Sequence, residues 1–159
     1  MQLQGVVARL GRSKDRNPAG QRRAHNVTSA ASSKFPKSRR LLKHADFQRV
    51  YQSGRRQFTG NMTIFFLRRS GGREAIGTAN TPRVGFTVGK VLGGSVERNR
   101  IKRRMREAVR LSVEACDGPI DVVFNPRKSV SNVPFAELVN EVTRALRLAA
   151  QRARTGEQK

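Results

Sequence analysis

The chain has 159 residues, with 33 Lys and Arg against 11 Asp and Glu, a formal charge of +22. Repulsion of that size works against a compact chain unless a polyanion offsets it, so nucleic acid is the first partner to consider and an anionic membrane the second. No apolar run approaches the roughly 20 residues a spanning helix needs, and the single cysteine, Cys116, excludes an internal disulfide or a multi-cysteine zinc site.

Residues 1–40 carry ten basic residues and one acid, Asp15, with no sustained apolar period. That composition buries too little apolar surface to offset chain entropy, and residues 1–36 are predicted to form a disordered basic extension. An organelle transit peptide, or a start codon assigned too far upstream, would have the same look. Beyond residue 40 the chain keeps 23 basic against 10 acidic residues, so the folded part is itself strongly cationic. The domain is expected over residues 37–152, followed by a flexible tail, 153–159.

Order begins near Lys43. Phe47, Val50 and Tyr51 stand at helical spacing, with Asp46 near the helix start and Gly54 as its stop. A short strand is expected near Gln57, and NMTIFFL (61–67) reads as a strand rich in β-branched and aromatic residues. A Gly-rich polar loop follows. Val84, Phe86 and Val88 then alternate with Gly85 and Thr87, a strand with one buried face. Gly89, Gly93 and Gly94 break the pattern, and Ser95 is placed to cap the helix after them. In that helix Ile101, Met105, Ala108 and Val109 form the apolar stripe, with Asn99, Arg103, Arg106 and Arg110 opposite. Arg98, Arg100, Lys102 and Arg104 flank the stripe. Asp117-Gly118-Pro119 is a turn, IDVVF (120–124) an apolar strand, and Pro134 opens a last helix through Ala149. The order suits a small α+β sandwich, one sheet against helices. Cys116 reads as a small buried apolar residue, and a reducing compartment fits its being alone.

Chemistry is scarce. His25 and His44 have no evident partner, and the acids are scattered singly, so no catalytic or metal-binding group is expected in the protein. The cations of the central helix instead suit phosphates, which guanidinium forks grip bidentately. The glycine loop is expected to add backbone amides and a helix N-terminus as a second anion site. Phe47, Tyr51 and Phe65 admit two readings, core packing or a groove on which unpaired bases stack; the Tyr51 hydroxyl favours a wet rim. A DNA-binding basic helix needs apolar heptads downstream, and Cys116-Asp117-Gly118-Pro119 ends the helix first.

ERNRIKRRMREAVR (97–110) strongly resembles the RNR signature of the bacterial ribonuclease P protein subunit. RRLLKHADFQRVYQSG, NMTIFFL, RVGFTVGKVLGGSVERNRIKRRMRE and IDVVFNPRKSV fall in that family's order. The resemblance implies an αβββαβα fold, ribosomal protein S5 domain 2-like, with a left-handed βαβ crossover against the usual rule. It implies a partner RNA that is the ribozyme, removing the 5′ leader of precursor tRNA with bound Mg²⁺ in the bacterial cytoplasm. The protein would bind no cofactor, membrane or small-molecule substrate itself. By the same resemblance Lys90, Arg98, Asn99, Arg100, Lys102, Arg103 and Arg106 face the catalytic RNA, and Phe47, Tyr51 and Phe65 line the leader cleft. Where the family often has a second basic residue after Lys90, this chain has Val91. The alternative is a ribosomal or other structural RNA binder, sharing the charge but not the cleft.

Overall fold

Along residues 62–67, Met62, Ile64 and Phe66 are fully buried while Thr63, Phe65 and Leu67 are only half-buried, and this alternation sets the layering of the molecule. The structure, a computed structural model, describes residues 34–70 and 80–156. Most of the predicted extension, part of the predicted Gly-rich loop and the last three residues lie outside them.

Three helices and four strands follow in the order αβββαβα: α1 (His44–Ser53), β1 (Arg55–Phe58), β2 (Met62–Arg68), β3 (Arg83–Phe86), α2 (Ser95–Ser112), β4 (Ile120–Pro126) and α3 (Phe135–Arg154). The strands form one sheet ordered β1-β2-β4-β3. β2 pairs antiparallel with β1 and β4, whereas β3 runs parallel to β4, to which it is joined through α2. β3 ends at Phe86, two residues short of the expected Val88.

One face of the sheet is closed. Met62, Ile64, Phe66, Val84, Val122 and Phe124 pack there against Ile101, Met105 and Val109 of α2 and Leu138, Val142 and Leu146 of α3. Each large side chain so buried is worth roughly 1.5–3 kcal/mol. Alternation turns Phe65, Leu67 and Val123 to the opposite face, where Leu41, Phe47, Val50 and Tyr51 form a second, smaller cluster. β4 is buried on both sides because it is covered on both sides.

The fold reaches past both predicted domain boundaries. Phe35, assigned to the extension, is buried in the larger core, and Arg40 bridges to Val84 beside the β3 edge. At the other end α3 continues through Ala153 and Arg154, assigned to the tail. A single apolar residue in a polar stretch anchors that segment, and no periodicity announces it.

Candidate nucleic-acid interface

α2 buries Ile101, Met105, Ala108, Val109 and Ser112, so its cations are sorted by how far they lie from that stripe. Arg100, Arg103 and Arg106, at intervals of three, are exposed together with Asn99. Arg98 and Lys102 are half-buried at the margin, and the Arg98 Nε is buried without a partner among the described residues. Two further cations of the predicted basic surface are already engaged. Arg104 donates Nη2–H to the Val133 carbonyl and lies 5.9 Å from the Phe135 ring centroid, tying α2 to the start of α3. Arg110 grips Glu107 through both Nε (3.0 Å) and Nη2 (2.6 Å), and that hydrogen bond holds the Glu107 carboxyl below its ordinary pKa. The outward row is thus narrower than the sequence suggests, and it includes no acid.

The expected cap and backbone anion site need correction. Gly94, not Ser95, occupies the N-cap position, and no side chain caps the helix. The chain turns one residue early because Gly93 takes φ 125°, a conformation that L side chains rarely adopt. A Cβ at Gly93 would also lie 2.3 Å from Glu97 Oε2, so the first-turn carboxylate already sits beside this loop. Amides of Leu92 and Gly93 are spent on the carbonyls of Gly89 and Lys90. Lys90 stays exposed in that turn, and Val91 beside it is 97% exposed.

Register organises the other face of the sheet into three rows. In the middle row Arg56, Phe65, Val123 and Gly85 stand side by side across all four strands. Gly85 is needed there: an added Cβ would meet the Phe47 ring at 2.6 Å and Leu41 at 3.1 Å. Phe47 therefore packs closely over Gly85 and against the smaller cluster, the core reading of that residue.

The upper row is polar, with Phe58, Thr63 and Asn125 in register. Tyr51 leans onto it. Its ring meets Phe65 edge-on, 4.8 Å between centroids at 76°. The hydroxyl donates to Asn125 Oδ1 (2.9 Å) and, its proton so used, accepts from Thr87 Oγ1 (2.8 Å). Phe47, Tyr51 and Phe65 are thus brought together, as the cleft assignment requires. Phe58 was missed: it is 55% exposed, with the Arg56 guanidinium 4.9 Å from its centroid. Its i,i+2 spacing from Arg56 in a four-residue strand is the one signal for it.

The lower row is ionic. Asp121, fully buried, lies between Leu67 and Arg83. It accepts from Arg83 Nε (2.8 Å) and Nη2 (2.7 Å), with Arg49 at 3.4 Å and Arg69 at 3.6 Å. Asp46, 8% exposed, accepts from Arg49 (2.8 Å) and Arg83 (3.4 Å). Two carboxylates and three guanidiniums thus fasten α1 to the sheet. Among the described residues no group of three or more His, Cys, Asp or Glu is placed to hold a metal.

The family model for ribonuclease P matches residues 35–150. The ribonuclease P protein component of Desulforapulum autotrophicum is 39% identical over 108 residues, covering 68% of this chain and 86% of that protein. That of Finegoldia magna is 31% identical over 116 residues, covering 73% and 95%. The solved Staphylococcus aureus RNase P protein superposes with a TM-score of 0.56 at 26% identity, covering 70% of this chain and 94% of that one.

Proposed function

Because this chain belongs to the ribonuclease P protein family, we propose that it docks on a catalytic RNA through α2 and holds the single-stranded 5′ leader of precursor tRNA on its open sheet face. The observation that carries this reading is the separation of two surfaces. Arg100, Arg103, Arg106 and Asn99 project from a helix whose other side is buried, while Tyr51, Phe65 and Phe58 gather on the sheet face away from α2. Lys90, Arg98 and Lys102 lie in the loop before and along the margin of the first surface, where they extend it. The first surface suits phosphates and the second suits unpaired bases.

Hydrolysis of the leader bond is then the work of Mg²⁺ held by the RNA. The protein's part is to bind, to orient the leader and to neutralise phosphate charge close to the cut. The setting is the bacterial cytoplasm, with the ribonuclease P RNA and precursor tRNA as partners.

The test is to mix the protein with its organism's ribonuclease P RNA and follow 5′ leader removal at low Mg²⁺. Stimulation is expected, with affinity for the RNA falling linearly in log salt. Replacing Arg100, Arg103 and Arg106 by Ala should lower that slope by about two to three, at roughly 0.7–0.9 per phosphate contact. No stimulation would return the chain to the class of structural RNA binders.

A further inference from the structure

Two cavities of comparable size lie away from both surfaces, and their linings differ in charge. The first, about 570 Å³, has Glu137, Glu141 and Arg144 in its wall. Its best carboxylate is already satisfied: Glu141 accepts from the Asn61 backbone N–H (2.7 Å) and side chain (2.6 Å). That cavity offers no net attraction for an anion.

The second, about 540 Å³, lies where the end of β2, the start of β1 and the end of α3 meet, lined by Arg55, Arg68, Arg69 and Arg152 with Ser53 and Ser70. No acid lines it among the described residues. Arg55, Arg68 and Arg152 come from three different elements, and none has an ion-pair partner among the described residues. Arg152 donates Nη1–H to Gln57 Oε1 (2.6 Å), a neutral contact that positions the guanidinium without discharging it.

Arg69 forms the wall toward the ion cluster. It donates to the Thr81 carbonyl (2.5 Å) and faces Asp121 at 3.6 Å. Asp121 is shared with Arg83 and Arg49, and with Asp46 the cluster holds two acids against three arginines. Burial holds Arg69 below its ordinary pKa, with Asp121 opposing that fall and Arg83 and Arg49 adding to it. The C-terminal ends of α1 and α3 bring roughly half a negative charge each. That offsets about one of the three positive charges of Arg55, Arg68 and Arg152 and leaves the pocket cationic. Its volume lies within the range of about 300–1,000 Å³ that encloses drug-sized ligands, wider than a single small ion needs.

We infer that Arg55, Arg68 and Arg152 form a third RNA contact, a cationic pocket that takes backbone phosphates of a strand running past the β1–β2 end of the sheet. The inference rests on the proposed RNA subunit role. The phosphodiester chemistry is common to the catalytic RNA and to the leader, so the experiment must tell them apart.

The triple variant Arg55→Ala/Arg68→Ala/Arg152→Ala leaves Arg69 and the ion cluster in place. Its affinity is measured against salt in two arms: for ribonuclease P RNA alone, and, in the holoenzyme, for precursor tRNA with a long or a two-nucleotide leader. Loss of about two units of salt slope, with about tenfold or more weakening, is expected in one arm. Loss in the first arm assigns the pocket to the catalytic RNA. Loss confined to the long leader assigns it to the substrate. The matching Lys variant should restore the slope, and an unchanged urea midpoint excludes misfolding as the cause. Unchanged slopes in both arms overturn the inference. The Arg100→Ala/Arg103→Ala/Arg106→Ala protein runs alongside: if it too binds normally, the proposed function itself fails, and if it alone is weakened, only the pocket does.

Discussion

The two faces of the sheet are made by the same strands and solve opposite problems. On the closed face Met62, Ile64, Phe66, Val122 and Phe124 disappear under α2 and α3 in a mainly apolar packing. On the other, one short helix crosses a surface of Asp121, Val123 and Asn125, one residue of each chemical kind. Burying apolar area stabilises by about 25 cal/mol per Å². A buried ion cluster is often no better than hydrophobes of the same size, yet removing one partner costs about 3–5 kcal/mol. The closed face therefore supplies net stability, while the open face spends its buried positions on fixing α1 in one place. A helix held by charges at one margin can leave an aromatic rim wet at the other, which a fully packed helix would not.

The largest expected effect breaks this contrast directly. Asp121→Ala leaves Arg49, Arg69 and Arg83 facing one another and should cost about 3–5 kcal/mol of unfolding free energy in urea. That would match Leu146→Ala on the closed face, at about 2–5 kcal/mol. A cost under about 1 kcal/mol would mean that the ionic row does not hold α1. The pair Asp121→Leu/Arg83→Met, which removes both charges, should recover much of the loss.

A middle-sized effect sharpens the contrast by function. Tyr51→Ala should weaken holoenzyme binding of precursor tRNA by about 1–3 kcal/mol, the worth of one stacked base, and leave mature tRNA unchanged. Equal losses for both would remove Tyr51 from the leader cleft. Tyr51→Phe keeps the ring against Phe65 and loses only the hydroxyl bridge between Thr87 and Asn125. It should cost about 0.5–1.5 kcal/mol of stability and little binding.

How much of this was legible from the residues differs between the faces in the same way. Periodicity located α2 and α3 and the strands that seal the closed face, because one-sided burial leaves a period in the sequence. The aromatic trio was legible as well, and register separates its members: Phe47 rests on Gly85, while Tyr51 reaches the polar row. Three features left no trace. Asp46 reads only as an acid near the start of a helix, and Asp121 passes unnoticed in an apolar strand; Arg83, paired with Asp121 across β3 and β4, and Arg49 join them. Phe58 sits in a strand too short for its alternation to stand out. The Arg55, Arg68 and Arg152 pocket assembles residues up to 97 positions apart. Such convergence is a property of topology, which local spacing does not encode.

The smallest effect belongs to the closed face and appears only in alkali. Cys116 is buried in the larger core, and burial pushes its thiol from 9.0 up to about 12, with Asp117 adding to the rise and Arg154 opposing it. The sign follows from linkage. The unfolded chain releases this proton near pH 9 while the folded chain keeps it, so the thiol's contribution is intact below pH 9 and is lost as pH rises from there toward about 12. To isolate the thiol, the quantity to measure is the difference between the native protein and Cys116→Ala. That difference should be flat from pH 6 to about 8.5 and should then decline. In the same window a water-soluble disulfide reagent should react with Cys116 only at the rate of unfolding, since the thiolate is the reactive form and the folded core suppresses it. Rapid labelling at pH 8 in native buffer would show that the closed face opens near its α2 end, and the division between a sealed face and an accessible one would have to be redrawn there.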